Sequence, residues 1–509
     1  MESSISVSAE KVEKIIVIGG GLGGLSAAIR LAKKGFSVHI FERSATIGGK
    51  CRVEEFDGHF FDTGPSLLTL PAVYRDLFLK SGAPLESELT LHLVEPAFDY
   101  YFASGKRLTL PNASRAGVAA AIEESFGAKS AQEWIALMDR AEAMWDISRE
   151  PFVESELRGF LPLLRRPGFL SSLRTIAPFT SLRAMAERYL STPELITLID
   201  RYATYTGSDP RKAPAVLLTI AYIEQVFGAW HIEGGIGQLS SALERRAREL
   251  GVEIHLNTSV RAITTSGNQA TGVTLDDGRV ISADYVVSNA DAQITYERLL
   301  DNPKIARRER RKLRRATPSF SGFYLLLNLK GRNPEQKHHT VSFPHDYGAE
   351  FDSLFTTLQP VQDPTLYICS PMDKSMAPEN CESWFLLVNA PRHSRGGDGF
   401  DWLTPNVAET YGEHLLNLLE QRNLLDRSRI LSSQFRSPAD IERMFNAPGG
   451  AIYGNSSNGA GAAFNRASNR SPVQGLFLTG GSAHPGGGVP LVGISGEIVA
   501  SAIASEPLR

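Results

Sequence analysis

Apolar positions along the chain follow two rhythms, and both appear within its first 45 residues. Ile15 to Ile18 is a short β-branched run of the kind a buried parallel strand uses. Leu25, Ala28, Ile29 and Ala32 then recur at helical spacing, and Gly35 ends that pattern. "SVHIFER" predicts a second strand ending at Glu42. The same grammar returns in residues 231–260 as a glycine turn, an amphipathic helix stopped by Gly251, and a strand. A hairpin turned at Asp277-Gly278 then runs into a buried strand at Tyr285 to Val287. Leu476 to Thr479 predicts one more buried strand, with a helix from about Val492. "SFSGFYLLLNLK" and "ESWFLLVNAP" read as strands of a separate sheet.

The residues between the first strand and helix carry the first chemistry. Gly19, Gly21 and Gly24 satisfy G-x-G-x-x-G with a strand before, a helix after and Glu42 at the end of the next strand. That context predicts a dinucleotide, its pyrophosphate at the helix N-terminus and its ribose hydroxyls on Glu42. Arg43 follows, then the glycine pair Gly48-Gly49, Lys50, a hairpin at Asp57-Gly58 and the run Asp62-Thr63-Gly64-Pro65. The second glycine pair would pass backbone close under a cofactor, where Lys50 either offsets phosphate charge or is a solvated lysine.

Composition narrows the class. With 509 residues, 42% of them hydrophobic, the chain can bury a large core and predicts several domains or one large α/β domain with insertions. A net charge of -3 gives no overall reason to expect nucleic acid. The local run "KIARRERRKLRR" carries eight basic residues but no interleaved aromatics, so it reads as a solvated helix, with attraction to anionic lipid next. Cys51, Cys369 and Cys381 are odd in number and scattered, which suggests a reducing compartment and neither a disulfide framework nor a zinc site. No uncharged stretch escapes glycine, serine, asparagine and proline for the ~20 residues a membrane span needs. Residues 151–190 hold six arginines among bulky apolar residues, which fits a membrane-surface lid or a core-facing helical subdomain equally.

Four segments carry a family resemblance: "RYATYTGSDPRKAPAV", "HHTVSFPHDYGAEFDSLF", "GGAIYGNSS" and "HPGGGVPLVGISG". With the glycine motifs, they make the chain similar to the bacterial phytoene-desaturase family over residues 12 to 505. That family lies within the two-dinucleotide-binding-domain flavoproteins. The "VPLVGISGE" continuation after Gly486-Gly487-Gly488 is closer to later-step hydroxy- and methoxycarotenoid desaturases, or to C30 enzymes, than to phytoene desaturases proper.

The resemblance implies an α/β fold with a discontinuous Rossmann-like FAD domain, a mixed-sheet substrate domain and a helical membrane-facing lid. The expected pieces are 1–150 (with 1–10 a loose tail), 226–300 and 441–509 for the FAD domain, 151–225 for the lid and 301–440 for the substrate sheet. FAD would meet Gly19, Gly21, Gly24, Glu42, Arg43, Gly48, Gly49, Lys50, Gly64 and Pro65. It would also meet Val260 near the adenine, and Gly480, Gly481, Ser482, Val489 and Pro490 beyond the last strand.

The implied reaction introduces C–C double bonds into a long apolar polyene taken from the membrane, with hydride passing to the flavin and a proton lost from the adjacent carbon. His484, Asp146 and Arg149 are the candidates for polarising groups or bases. The final acceptor would be oxygen or a quinone, and the enzyme would sit in the cytoplasm, peripheral to the inner face of the cell membrane. His338-His339 reads as tied into a sheet edge and not as a metal pair, since adjacent strand side chains point to opposite faces. Saturase or isomerase chemistry on the same scaffold stays open, as does a non-catalytic prenyl-lipid carrier. An amine oxidase would need an aromatic cage that no segment reveals.

Overall fold

The computed structural model describes residues 12–159 and 169–506. The tail expected at 1–10 and part of the basic stretch, 160–168, lie outside the described residues. The opening strand Lys14–Ile18 is the centre of a five-stranded parallel sheet. Ser37–Phe41 and Glu253–His255 follow on one side, Tyr285–Ser288 and Leu476–Leu478 on the other. Four separate stretches of sequence thus build one sheet.

Strand alternation decides its two faces. Ile15 and Val17 pack toward the helices Leu22–Lys33, Gly237–Glu249 and Val489–Ala504. Ile16 and Ile18 pack toward a three-stranded antiparallel sheet, Val260–Ser266, Gln269–Leu275 and Val280–Ser282. The closing helix Val489–Ala504 begins three residues before the expected Val492. Pro490 falls in its first turn, where a missing N–H costs no hydrogen bond.

A seven-stranded mixed sheet forms the second layer system. Its order is Ile430–Arg436, Ser321–Lys330, Cys381–Ala390, Leu366–Cys369, His339–Ser342, Phe98–Tyr101 and Arg107–Leu110. Residues 98–110 reach it from within the stretch 1–150. On one side Phe323, Leu325 and Leu327 pack with the helix Val407–Gln421. At the other end of the sheet, Phe98, Tyr100 and Val341 join a core shared with the lid helices.

Those lid helices face the core. Leu182–Tyr189 buries Leu182, Met185 and Ala186, and Pro193–Arg201 buries Leu195, Leu198 and Ile199. They share that core with Trp134, Leu137, Met138 and Ala141 of the long helix Ala128–Arg149. The basic helix Arg307–Arg315 buries Leu313 alone and leaves its arginines toward solvent, as its composition predicts.

Candidate flavin and substrate site

The first turn is built for close backbone approach. A Cβ on Gly24 would collide with the Gly19 carbonyl oxygen, so only glycine closes the strand-to-helix corner. The helix Leu22–Lys33 starts at Gly21 with no side-chain cap and no acid in its first turn. Its free N–H groups and positive dipole end are available to an anion. Glu42 is buried and accepts from Gly20 N (2.8 Å) and Ser44 N (2.8 Å), one per carboxylate oxygen. Each oxygen keeps a further lone pair for a hydroxyl. Gly48 N donates to Gly20 O (2.8 Å), which seats the second glycine pair against the first turn.

The closing helix presents a second open N-terminus. It is capped by Gly488, with no side-chain acceptor and no acid in its first turn. It lies against the first helix: a Cβ on Gly496 would sit 2.8 Å from Gly23 O and 2.8 Å from Ala27 N. Two uncapped helix starts and a buried ribose-type acceptor make a donor set that fits a dinucleotide.

Each sequence-predicted residue has a definite place. Gly64 is in backbone contact with Lys50, and Pro65 follows it. Lys50 is not a solvated lysine: its Nζ donates to Ala451 O (3.1 Å) and Ile452 O (3.0 Å). Burial lowers it to about 8 against the pull of Asp291. Arg43 donates to Arg443 O and Met444 O and stays at the surface. Val260 opens its strand with its side chain in the core beside Phe41, while Thr258 N bonds Glu42 O (2.8 Å). Gly480 N donates to Ser495 Oγ (3.3 Å), Gly481 O accepts from Arg466, and Ser482 Oγ accepts from Ala292 N (2.8 Å). Val489 O accepts from Tyr74 Oη (2.7 Å), and Pro490 is buried in the same turn.

Among the candidate acid–base groups, His484 is buried and its Nε2–H donates to Ser155 O (2.9 Å). Burial takes it down to about 4, so the ring is neutral. It fastens the chain leaving the long helix to the glycine loop. Asp146 is exposed, and Arg149 pairs with Glu154 (3.0 Å) with its guanidinium 6.0 Å from the Trp145 ring. The turn Glu150–Glu154 that follows packs against the closing helix, which brings all three residues to one end of the molecule.

The histidine pair differs from expectation. The strand His339–Ser342 is interior to its sheet, between Leu366–Cys369 and Phe98–Tyr101, and is not an edge. His338 precedes that strand, so strand alternation does not separate the rings, whose centroids lie 4.5 Å apart. Their nitrogens and Cys369 Sγ fall within 4.8 Å of one another.

Three polar features of the interior had no motif to announce them. Asp291 and Arg466 are buried charges around Ser482. Arg466 donates to Tyr453 O (3.0 Å), Asn455 O (3.0 Å) and Gly481 O (2.9 Å) and so clamps the "GGAIYGNSS" loop to the glycine loop. Burial lowers Arg466 to about 10 and raises Asp291. The third group is an aromatic cage, and it is already filled. The Arg201 guanidinium lies 4.7 Å from the Phe98 ring, 5.1 Å from Tyr205, 5.6 Å from Tyr100 and 6.0 Å from Tyr367. The convergence of "RYATYTG" with residues from two distant strands is invisible at sequence level.

A model of the flavin-containing amine oxidoreductases matches residues 22–376. The chain belongs to that family, and its cofactor is FAD. Within the family, a 4,4'-diapolycopene oxygenase from Methylomonas sp is 32% identical over 97% of this chain and 98% of its own. A hydroxyneurosporene desaturase from Rubrivivax gelatinosus is 33% identical over 97% and 94%. The resemblance drawn from the four segments is thereby borne out. A putrescine oxidase structure shares the fold at TM-score 0.65 and 15% identity, covering 97% of this chain and 99% of that one. A Rab GDI from Plasmodium falciparum shares it at TM-score 0.54 and 10% identity, over 98% and 99%. At these identities the two structures share the fold alone with this chain.

Proposed function

We propose that this flavoenzyme oxidises an acyclic carotenoid, removing hydrogen from carbons of a conjugated polyene. The observation that carries the reading is similarity running end to end, 97% of the chain, with an enzyme of diapolycopene and another of hydroxyneurosporene. Bound FAD supplies the hydride-accepting chemistry; the protein supplies binding, orientation and exclusion of water. The Arg201 cage argues against an amine, because a protonated amine would meet a fixed guanidinium where amine sites offer bare aromatic faces. His484, neutral and tied to Ser155, holds the lid to the glycine loop, and Asp146 and Arg149 flank the same end of the long helix.

Among the described residues no helix is long and apolar enough to cross a membrane. We read surface attachment at the lid from Phe179, which is 92% exposed beside the exposed Arg174 and Arg188.

Anaerobic mixing of the FAD-loaded protein with acyclic polyenes tests the reading. Bleaching of the flavin band with a lengthened or oxygenated product is expected. A flavin that stays oxidised with every polyene but bleaches with a primary amine overturns it.

A further inference from the structure

Arg201 is a cation without a carboxylate. It is 7% exposed, and among the described residues no Asp or Glu lies within ion-pair distance of it. Its hydrogen bonds to described residues leave from Nη1 alone, to Tyr205 Oη (3.0 Å) and Tyr100 Oη (3.3 Å). Burying a charge without direct compensation is costly, so a guanidinium kept this way has a use for its remaining donors. Glu224 compensates it at one remove. Tyr205 Oη donates to Glu224 (2.7 Å), and Tyr202 Oη takes the other oxygen (2.7 Å). Burial raises Glu224, while Arg201 and the two tyrosine hydroxyls favour its ionised form. With Glu224 ionised the pair is neutral, and the cage asks for an uncharged hydrogen-bond acceptor and not for a counter-ion.

Its surroundings carry the same signature. Tyr367 Oη, at the cage wall, bridges Ser66 Oγ (2.7 Å) and His339 Nδ1 (2.9 Å). Both His338 Nε2 and His339 Nε2 are buried with no hydrogen-bond partner. Burial keeps both rings neutral, helped by His231 at His338 and by His338, Arg201 and His231 at His339. Unpaired polar atoms in a core are costly and are rare unless a ligand completes them. These atoms sit in the sheet end that forms the apolar core with the lid. Burial raises the Tyr453 hydroxyl to about 12 against the opposing charge of nearby Arg201, and Tyr453 packs at Gly487 of the glycine loop.

The geometry points to a receptor for an oxygen-bearing end of the polyene. Arg201 donates to a neutral terminal oxygen, an aldehyde or hydroxyl, while Tyr205 and the surrounding rings hold the guanidinium in place and His339 Nε2 offers a second donor. The inference rests on the carotenoid reading above and names the subclass of substrate that the site prefers. Chain length alone would then not decide the substrate; the terminal oxygen would.

The test compares one acyclic polyene hydrocarbon with the same polyene bearing a terminal aldehyde, on FAD-loaded protein. The wild type should bind the aldehyde ~10-fold or more tightly, the scale of one hydrogen bond from a charged donor. Its visible band should shift to the red as the guanidinium polarises the conjugated carbonyl. Arg201→Gln should abolish both preference and shift while still binding and oxidising the hydrocarbon, and Arg201→Lys should restore part of the preference. Should Arg201→Gln fail to fold, Tyr205→Phe and Tyr367→Phe carry the comparison, each narrowing the ratio of aldehyde to hydrocarbon affinity. A wild type without preference, a preference that survives Arg201→Gln, or tighter binding of the polyene carboxylate than of the aldehyde overturns the proposal and leaves the carotenoid reading standing. Failure to bind or oxidise either polyene overturns both.

Discussion

Asp62 is where the chemistry of one residue reaches furthest. It closes the strand His59–Asp62, is 2% exposed, and accepts one backbone bond, from Ile236 N (2.8 Å) to Oδ1. Its Oδ2 is buried without a partner. Burial, reinforced by the charge of Asp373, raises it from 3.8 to about 7 despite the Ile236 N–H. The folded protein therefore holds this proton where the unfolded chain has already released it. Between about pH 4 and 7 the native state binds more protons, so this group's contribution is full in acid and is lost as pH rises through 7. Asp62→Asn, which keeps the size and cannot ionise, should remove that dependence. The melting temperature of the variant relative to wild type is expected to climb from pH 5 to pH 8; parallel profiles would reassign the ionisation elsewhere.

At the same scale, sequence and structure diverge in an instructive way. Glu42 and the glycines were legible because local spacing alone brings them together. Asp291, Arg466 and Arg201 were not, because their surroundings are assembled from separate loops and strands. Arg466 bridges the loops at Tyr453–Asn455 and Gly481, and Arg201 meets Phe98, Tyr100 and Tyr367 of two distant strands. His338 and His339 illustrate the same limit: alternation predicts opposite faces only when both residues lie within the strand.

At the scale of elements, the pairing of the first and last helices carries the cofactor domain. The strand–turn–helix units were readable because β-branched runs and 3.6-residue periodicity coincide with glycine stops. The docking of Leu22–Lys33 on Val489–Ala504 was not, since it joins opposite ends of the chain. It rests on Gly496, whose missing side chain admits the Gly23–Ala27 backbone. Gly496→Val should force the helices apart at a cost of ~1–3 kcal/mol, more if they separate fully. The two open helix starts would move relative to each other, so FAD content should fall along with stability. Flavin absorbance per mole of purified protein measures this, and full occupancy at unchanged melting temperature would refute the close packing. Gly24→Val at the first corner should be harsher, giving protein with no flavin, because its Cβ meets a carbonyl oxygen that cannot move without breaking the turn.

The whole molecule distributes polarity in a way that explains how an apolar substrate could arrive. The lid was ambiguous in sequence because its arginines and apolar residues suit both a core and a membrane. Among the described residues Leu182, Met185, Leu195 and Leu198 are turned inward and contribute to the core. Arg183 is likewise committed, paired with buried Asp200. Among the described residues of this stretch Phe179 is outward, as are Arg174, Glu187 and Arg188, and the proposed attachment would use this face. Such a patch gains affinity from apolar insertion and from anionic headgroups, the second term falling with salt. Wild-type protein should therefore sediment with vesicles containing anionic lipid and less with neutral vesicles. Phe179→Asp should reduce sedimentation severalfold in both, whereas 0.5 M-scale salt (about a 4–5 Å screening length) should affect only the anionic vesicles. Because Phe179 is exposed, the variant should keep its flavin and its melting temperature. Turnover of polyene presented in vesicles should drop while turnover of detergent-dispersed polyene stays the same. If both fall equally, the lid takes part in catalysis itself and attachment lies elsewhere.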